Sequence, residues 1–169
     1  MNNEYVKFAA DIGRKVVGCV ASDEGKKSEK ANAYEQDKKA GLVRRAVDFP
    51  SLMLTAGFSS AFMFYLSKVE NYKKLKNVLK YIESDDKKSL EDMCDEVKKD
   101  EGVGYTGYIS ILIKALKKIG KPIPNLDSLS DDKLYTELLN ITDNVDFRDE
   151  RLLLPYLYEL KKVLEALPL

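Results

Sequence analysis

Residues 49–67, FPSLMLTAGFSSAFMFYLS, run for nineteen positions without a charge in a chain whose charged side chains make up 33% of the total. Twelve of the nineteen are apolar. A stretch of this length raises the question of a membrane span, which needs roughly 20 apolar residues. Ser51, Thr55, Gly57, Ser59 and Ser60 dilute it, and basic residues flank both ends (Arg44, Arg45 and Lys68), so no positive-inside asymmetry is present. The run therefore reads as a core helix over residues 50–66. Pro50 is placed at its first position, where a fixed φ and a missing N–H cost nothing. Apolar residues all round such a helix predict burial among other helices.

At 169 residues the chain fits one domain, residues 1–169, able to bury roughly 70% of its unfolded surface. The 28 basic and 28 acidic side chains balance, which argues against nucleic-acid binding by bulk charge. Cys19 and Cys94 lie far apart and histidine is absent, so neither a disulfide framework nor a Cys/His zinc site is expected. The opening MNNEYVKF lacks the pattern of a secretory signal, and a cytoplasmic location is the expectation.

Every periodic segment has the helical period, and none alternates like a strand. Tyr5, Phe8, Ile12, Val16 and Cys19 share one face of a first helix. Residues 23–30 read as a linker, after which Ser28 caps a second helix reaching Val47, with Ala31, Tyr34, Leu42 and Val43 inward. After the uncharged run, Asn71 begins a fourth helix and Ser89 caps a fifth, with Asp92 three residues on. Gly102 and Gly104 end it. A sixth covers about 106–119 with Ile109, Leu112, Ile113 and Leu116 inward, Ser130 caps a seventh, and an eighth ends near Leu167. Pro155 starts or kinks that last helix. The fold expected is all-α, a single compact bundle of about six to eight helices.

Catalytic chemistry finds little footing. No histidine means no imidazole base and no Ser-His-Asp or Cys-His arrangement. Asp92, Asp95 and Glu96 are carboxylates on a lysine-rich segment and read as a solvated face. Gly102, Gly104 and Gly107 match G-x-G-x-x-G, but the preceding DEVKKDE cannot be the buried strand that a dinucleotide site requires, so the glycines read as helix breakers. The expectation is a protein that is not an enzyme and holds no cofactor or metal.

The lysines carry the polar signal. Lys114, Lys117, Lys118 and Lys121 recur at helical spacing opposite the apolar stripe, with no acid between Glu101 and Asp127. Lys73, Lys76 and Lys80 form a second stripe with Lys68 and Lys74 beside it, and Lys38, Lys39, Arg44 and Arg45 a third cluster. Lysines spaced along a surface neutralise phosphates without reading sequence. The same spacing also suits an ordinary solvated helix face.

The run GLVRRAVDFPSLMLTAGFSSAFMFYLSK, residues 41–68, resembles the small subunit of Cmr-type (type III-B) CRISPR effector complexes. The matching elements are Leu42, Val43 and Arg44 before the proline, Pro50, the central Gly57, then Phe62, Leu66, Ser67 and Lys68. The run DERLLLPYLYELKKVLEAL from Asp149 is similar to the last amphipathic helix of that family. Together they cover about a third of the chain. Phe58 departs from the leucine expected after the glycine, and residues 1–25 align poorly. The resemblance implies a non-catalytic structural subunit in antiviral defence that stacks on copies of itself as a filament. Its other partners would be the crRNA-bearing backbone and large subunits, and it would contact crRNA or target RNA through phosphates, with no membrane association. Candidate RNA contacts are Arg44, Arg45, Lys68, Lys73, Lys76, Lys114, Lys117, Lys118 and Lys121. The small subunit of Csm (type III-A) complexes, a helical protein–protein adaptor without RNA contact, and a metal nuclease remain as alternatives.

Overall fold

The uncharged run is broken at Gly57, whose φ of 84° and ψ of 160° are open essentially to glycine alone. The computed structural model describes residues 3–23 and 39–168, and it forms two helices where the sequence predicts one. These are α2, Gly41–Ala56, and α3, Phe58–Leu66. Pro50 is buried inside α2 rather than at its start, so the Ala46 carbonyl lacks its usual helical donor. The Phe58 N–H, orphaned at the start of α3, donates to the Glu150 carboxylate at 2.6 Å. Burial is also one-sided. Ser51, Leu54, Thr55, Ser59, Ser60 and Phe64 are exposed, so the run presents an uncharged outer face instead of being enclosed all round.

Six further helices complete the described residues: α1 Glu4–Asp23, α4 Tyr72–Ser84, α5 Leu90–Asp95, α6 Tyr105–Lys118, α7 Asp131–Asn144 and α8 Phe147–Ala166. The all-α expectation is met, with no strand among these residues. The predicted linker over 23–30, the Ser28 cap and the inward Ala31 and Tyr34 lie outside the described residues, apart from Asp23, which ends α1. Local signals explain the helix starts. The Asn71 side chain accepts from the Lys74 N–H, and Asp146 and Asp149 form a reciprocal capping box at the start of α8. Ser89 and Ser130 sit at N-cap positions without a side-chain bond, so there the serine signal marks the boundary only. Pro155 lies inside α8.

α6 is the centre of the molecule. Residues 104–113 are all buried, and α2, α3 and α4 pack around them. Phe49, Tyr65 and Tyr108 meet there with ring centroids 4.9–5.6 Å apart, and Phe58 stacks on Phe62 at 5.2 Å. α1 lies along α8, where Tyr5 and Phe8 pack edge-on against Tyr156 at 4.7 and 5.3 Å. A Cβ on Gly13 would come within 2.8 Å of Val163, so this glycine allows the close approach. Among the described residues no helix is long and apolar enough to cross a membrane.

The two cysteines are not independent: Cys19 of α1 and Cys94 of α5 are disulfide-bonded across 75 residues. Their distance in sequence argues for separate thiols, but packing α1 beside α5 brings their Cα atoms to 5.1 Å.

Phe62 is fully buried. Phe62→Ala is expected to lower stability by about 3–5 kcal/mol in chemical denaturation. Tyr108 tests the opposite sign. Its hydroxyl is buried without a hydrogen-bond partner among the described residues, and burial pushes its pKa well above the ordinary phenol value. Tyr108→Phe removes an unsatisfied polar group, and the same titration should show a gain of up to about 1–2 kcal/mol.

Candidate nucleic-acid interface

Arg44 and Arg45 stand in the first turn of α2, where the helix crosses the start of α6. Gly41 and Gly104 touch at that crossing. A Cβ on Gly104, whose φ is 96°, would lie 2.4 Å from the Gly41 carbonyl carbon. The segment between α5 and α6 wraps the α2 N-terminus, with the Gly41 N–H donating to the Lys98 carbonyl at 2.7 Å and the Leu42 N–H to the Glu96 carbonyl at 3.0 Å. Both guanidiniums fasten the same segment. Arg44 donates to the carbonyls of Asp100 at 2.7 Å and Lys99 at 3.3 Å. Arg45 donates to the Val103 carbonyl at 3.2 Å and lies 3.9 Å over the Tyr105 ring. Arg44 Nε is buried without a hydrogen-bond partner among the described residues.

The glycine run belongs to this crossing. Gly102 and Gly104 adopt positive φ between α5 and α6, in keeping with helix breaking, while Gly107 lies inside α6. The Gly107 N–H donates to the Glu96 carboxylate at 2.7 Å, so the anion at this helix N-terminus is the protein's own side chain. Glu96 is 3% exposed, which corrects its reading as part of a solvated face. Its second oxygen pairs with Lys74 at 3.4 Å. Asp92 accepts from Asn77 at 2.6 Å, and Asp95 pairs with Lys98 at 2.6 Å.

The stripe on α6 turns mostly inward. Lys114 is half-buried and donates to the Ile82 carbonyl at 3.0 Å, while Lys117 pairs with Glu83 at 3.2 Å. Lys15 of α1 reaches the same place, donating to the Tyr81 carbonyl and pairing with Asp85. Three ammonium groups thus gather at the C-terminal end of α4, where carbonyls and the helix dipole favour positive charge. Burial, and then the neighbouring Lys15, lower the pKa of Lys114. Asp85 is held below the ordinary carboxylate value by the hydrogen bond and charge of Lys15. Lys121 donates to the Asn144 carbonyl at 2.6 Å and to the Asp149 carboxylate at 2.8 Å.

Of the second stripe, Lys76 pairs with Asp131 at 2.6 Å. Lys73 is exposed beside Lys74, Asn77 and Asp95. Lys68 is exposed with its ammonium 5.3 Å from the Phe64 ring, and Lys118 is exposed. Lys68, Lys73 and Lys118 have no ion pair among the described residues. Lys38 lies outside them, and Lys39 pairs with Glu165 at 3.4 Å. The candidates do not form one pocket. What the arrangement offers is three dispersed cations and two anchored guanidiniums, suited to transient phosphate contact.

No protein-family model, curated protein or solved structure matches the chain.

The Lys121–Asp149 pair generates a pH dependence. Desolvation raises the Asp149 pKa, but the hydrogen bonds from Lys121 and the Asp146 backbone outweigh it, leaving the carboxyl below its ordinary value. A depressed native pKa gives stability that is complete above the unfolded value and is lost as pH falls through the native one. Acid unfolding followed through the carboxylate range should therefore show a shallower decline for Lys121→Met than for the native chain. Equal slopes would mean that the pair contributes nothing.

Proposed function

We propose that this chain is a non-catalytic small subunit of a type III-B CRISPR ribonucleoprotein, acting in the cytoplasm in antiviral defence. In this reading, copies of it stack beside the crRNA-bearing backbone and large subunits and line the RNA path through phosphate contacts. The observation that carries the proposal is the run over residues 41–68. Its basic approach to a proline, central glycine and closing Ser-Lys are elements of the resemblance, and they occur in an all-α chain. The lone exposed cations Lys68, Lys73 and Lys118 fit weak contacts to a phosphate backbone, with affinity supplied by many copies along one strand. Cleavage of RNA is assigned to other subunits, and the purified chain is expected to leave RNA intact with Mg²⁺ or Mn²⁺.

A second reading has its own support. Six of the nine candidate cations are engaged inside the molecule, and the exposed face formed by residues 51–64 is uncharged. A helical adaptor that touches only proteins would show both features, whether in a Cmr or a Csm assembly.

Co-expression with candidate backbone and large subunits, followed by RNA titration at several salt concentrations, separates the two. The combined Lys68→Ala, Lys73→Ala and Lys118→Ala variant should assemble normally and bind target RNA less tightly. Its salt slope should fall by about 0.7 for each phosphate that is no longer neutralised. Unchanged affinity and slope would assign the chain to the adaptor class. Failure to co-purify with any such subunit would overturn the proposal.

A further inference from the structure

Cys19 and Cys94 are unequal partners. Cys19 is 2% exposed, whereas Cys94 is only part-buried, on the short helix α5. We propose that their bond is a reversible redox staple, opened and closed through Cys94, which fastens the C-terminal part of α1 over α5. The inference does not depend on the proposed RNA role.

The elements on either side explain why a covalent tie matters at this point. Along most of its length α1 is held by α8, through Phe8, Tyr5 and the close approach at Gly13. Lys15 adds a polar tie, to Tyr81 and Asp85, and the Tyr81 hydroxyl donates back to the Lys15 carbonyl at 2.6 Å. Beyond Lys15, Val16 and Cys19 are the buried side chains among those described on α1. α5 is weakly anchored too. It spans six residues, with Met93 its one fully buried side chain and polar ties through Asp92 and Asp95. An isolated helix of that length has no stability of its own.

Two residues beyond Cys94 the anchoring changes in kind. Glu96 is bonded to Gly107, Lys74 and Leu42 and belongs to the rigid crossing of α2 and α6. Opening the staple therefore loosens the end of α1 and α5, and the loosening stops at Glu96.

The chemistry balances by thiol–disulfide exchange. To close, the Cys94 thiolate attacks a low-molecular-weight disulfide and releases one thiol, leaving a mixed disulfide on Cys94. The Cys19 thiolate then attacks the Cys94 sulfur and expels the second thiol. Two protein thiols are oxidised, and one small disulfide is reduced to two thiols. To open, a dithiol reductant attacks the accessible Cys94 sulfur, Cys19 leaves as thiolate, and the reductant's second thiol frees Cys94 as the reductant becomes a cyclic disulfide. Loop closure over 75 residues places the stabilising effect in the upper part of the range for a single bridge.

The test uses the full chain with its thiols counted in each state. Dithiothreitol should lower Tm by about 5–15 °C, and glutathione disulfide should restore it. Hydrogen exchange should rise in α1 beyond Lys15 and in α5, while the start of α6 stays protected. In glutathione disulfide, Cys19→Ser should trap a mixed disulfide on Cys94 about tenfold faster than Cys94→Ser traps one on Cys19. Two thiols that persist in the native chain under oxidant would overturn the proposal. So would an unchanged Tm between states of confirmed thiol content, or equal trapping at the two positions. The native-chain measurements decide even where a serine variant fails to fold.

Discussion

The carboxylate of Glu96 holds together a junction that would otherwise be electrostatically unfavourable. α2 and α6 begin at the same point, because Gly41 and Gly104 cross there in backbone contact. Each helix start carries unpaired N–H groups and a partial positive charge, and two such ends side by side repel. Arg44 and Arg45 add two full charges. A single buried anion between the helices, supplemented by the carbonyls of residues 96, 98, 99, 100 and 103, supplies acceptors at this junction. Lys74 then pairs with the remaining oxygen, so α4 is drawn into the same junction. A buried pair of this kind contributes little beyond what apolar residues would, but removing one partner leaves an uncompensated charge that costs about 3–5 kcal/mol. The carboxylate thus ties α6 to α4, while the backbone carbonyl of the same residue ties the start of α2.

At the opposite end of α4 the polarity is reversed and the solution is complementary. Its last carbonyls accept from Lys15 of α1 and Lys114 of α6, and Lys117 pairs with the Glu83 carboxylate beside them. These cations serve as the cap that the helix cannot supply for itself, with Asp85 closing the turn in a left-handed conformation at φ 55°. Basic residues at helical spacing are therefore ambiguous in a bundle. A lysine opposite an apolar stripe belongs to solvent only where no neighbouring helix ends within its reach, and of Lys114, Lys117, Lys118 and Lys121, Lys118 alone meets that condition.

Much of the architecture is legible in the amino-acid order. Helical periodicity and the Asn71 cap each correspond to an observed element, whereas α5 ends at Asp95, before Gly102 and Gly104, and those glycines mark the start of α6 instead. A single helix over 50–66 is not what forms, because Gly57 acts through its backbone conformation, separating α2 from α3, and not merely as a small packing residue. The central helix is also a different one. Residues 102–113 form a second uncharged run, GVGYTGYISILI, and from Gly104 onward this is the segment with every residue buried. Length favours the longer run, while the glycines that let neighbouring helices approach favour the shorter. Glu96 and the cysteine pair are not legible, because what each one touches depends on helices distant in sequence.

Tyr5, Phe8 and Gly13 seat α1 on α8, and Glu150 of α8 closes the start of α3. The order of synthesis opposes this arrangement. α1 leaves the ribosome well before the helix that covers it, with an interval on the order of ten seconds at ordinary elongation rates. During that time Phe8, Ile12 and Val16 have no native surface to rest on, and the start of α3 lacks its acceptor. The α2–α6 junction, by contrast, is complete once α6 has emerged. The molecule is thus arranged to assemble from its middle outward, with its two longest helices docking together last.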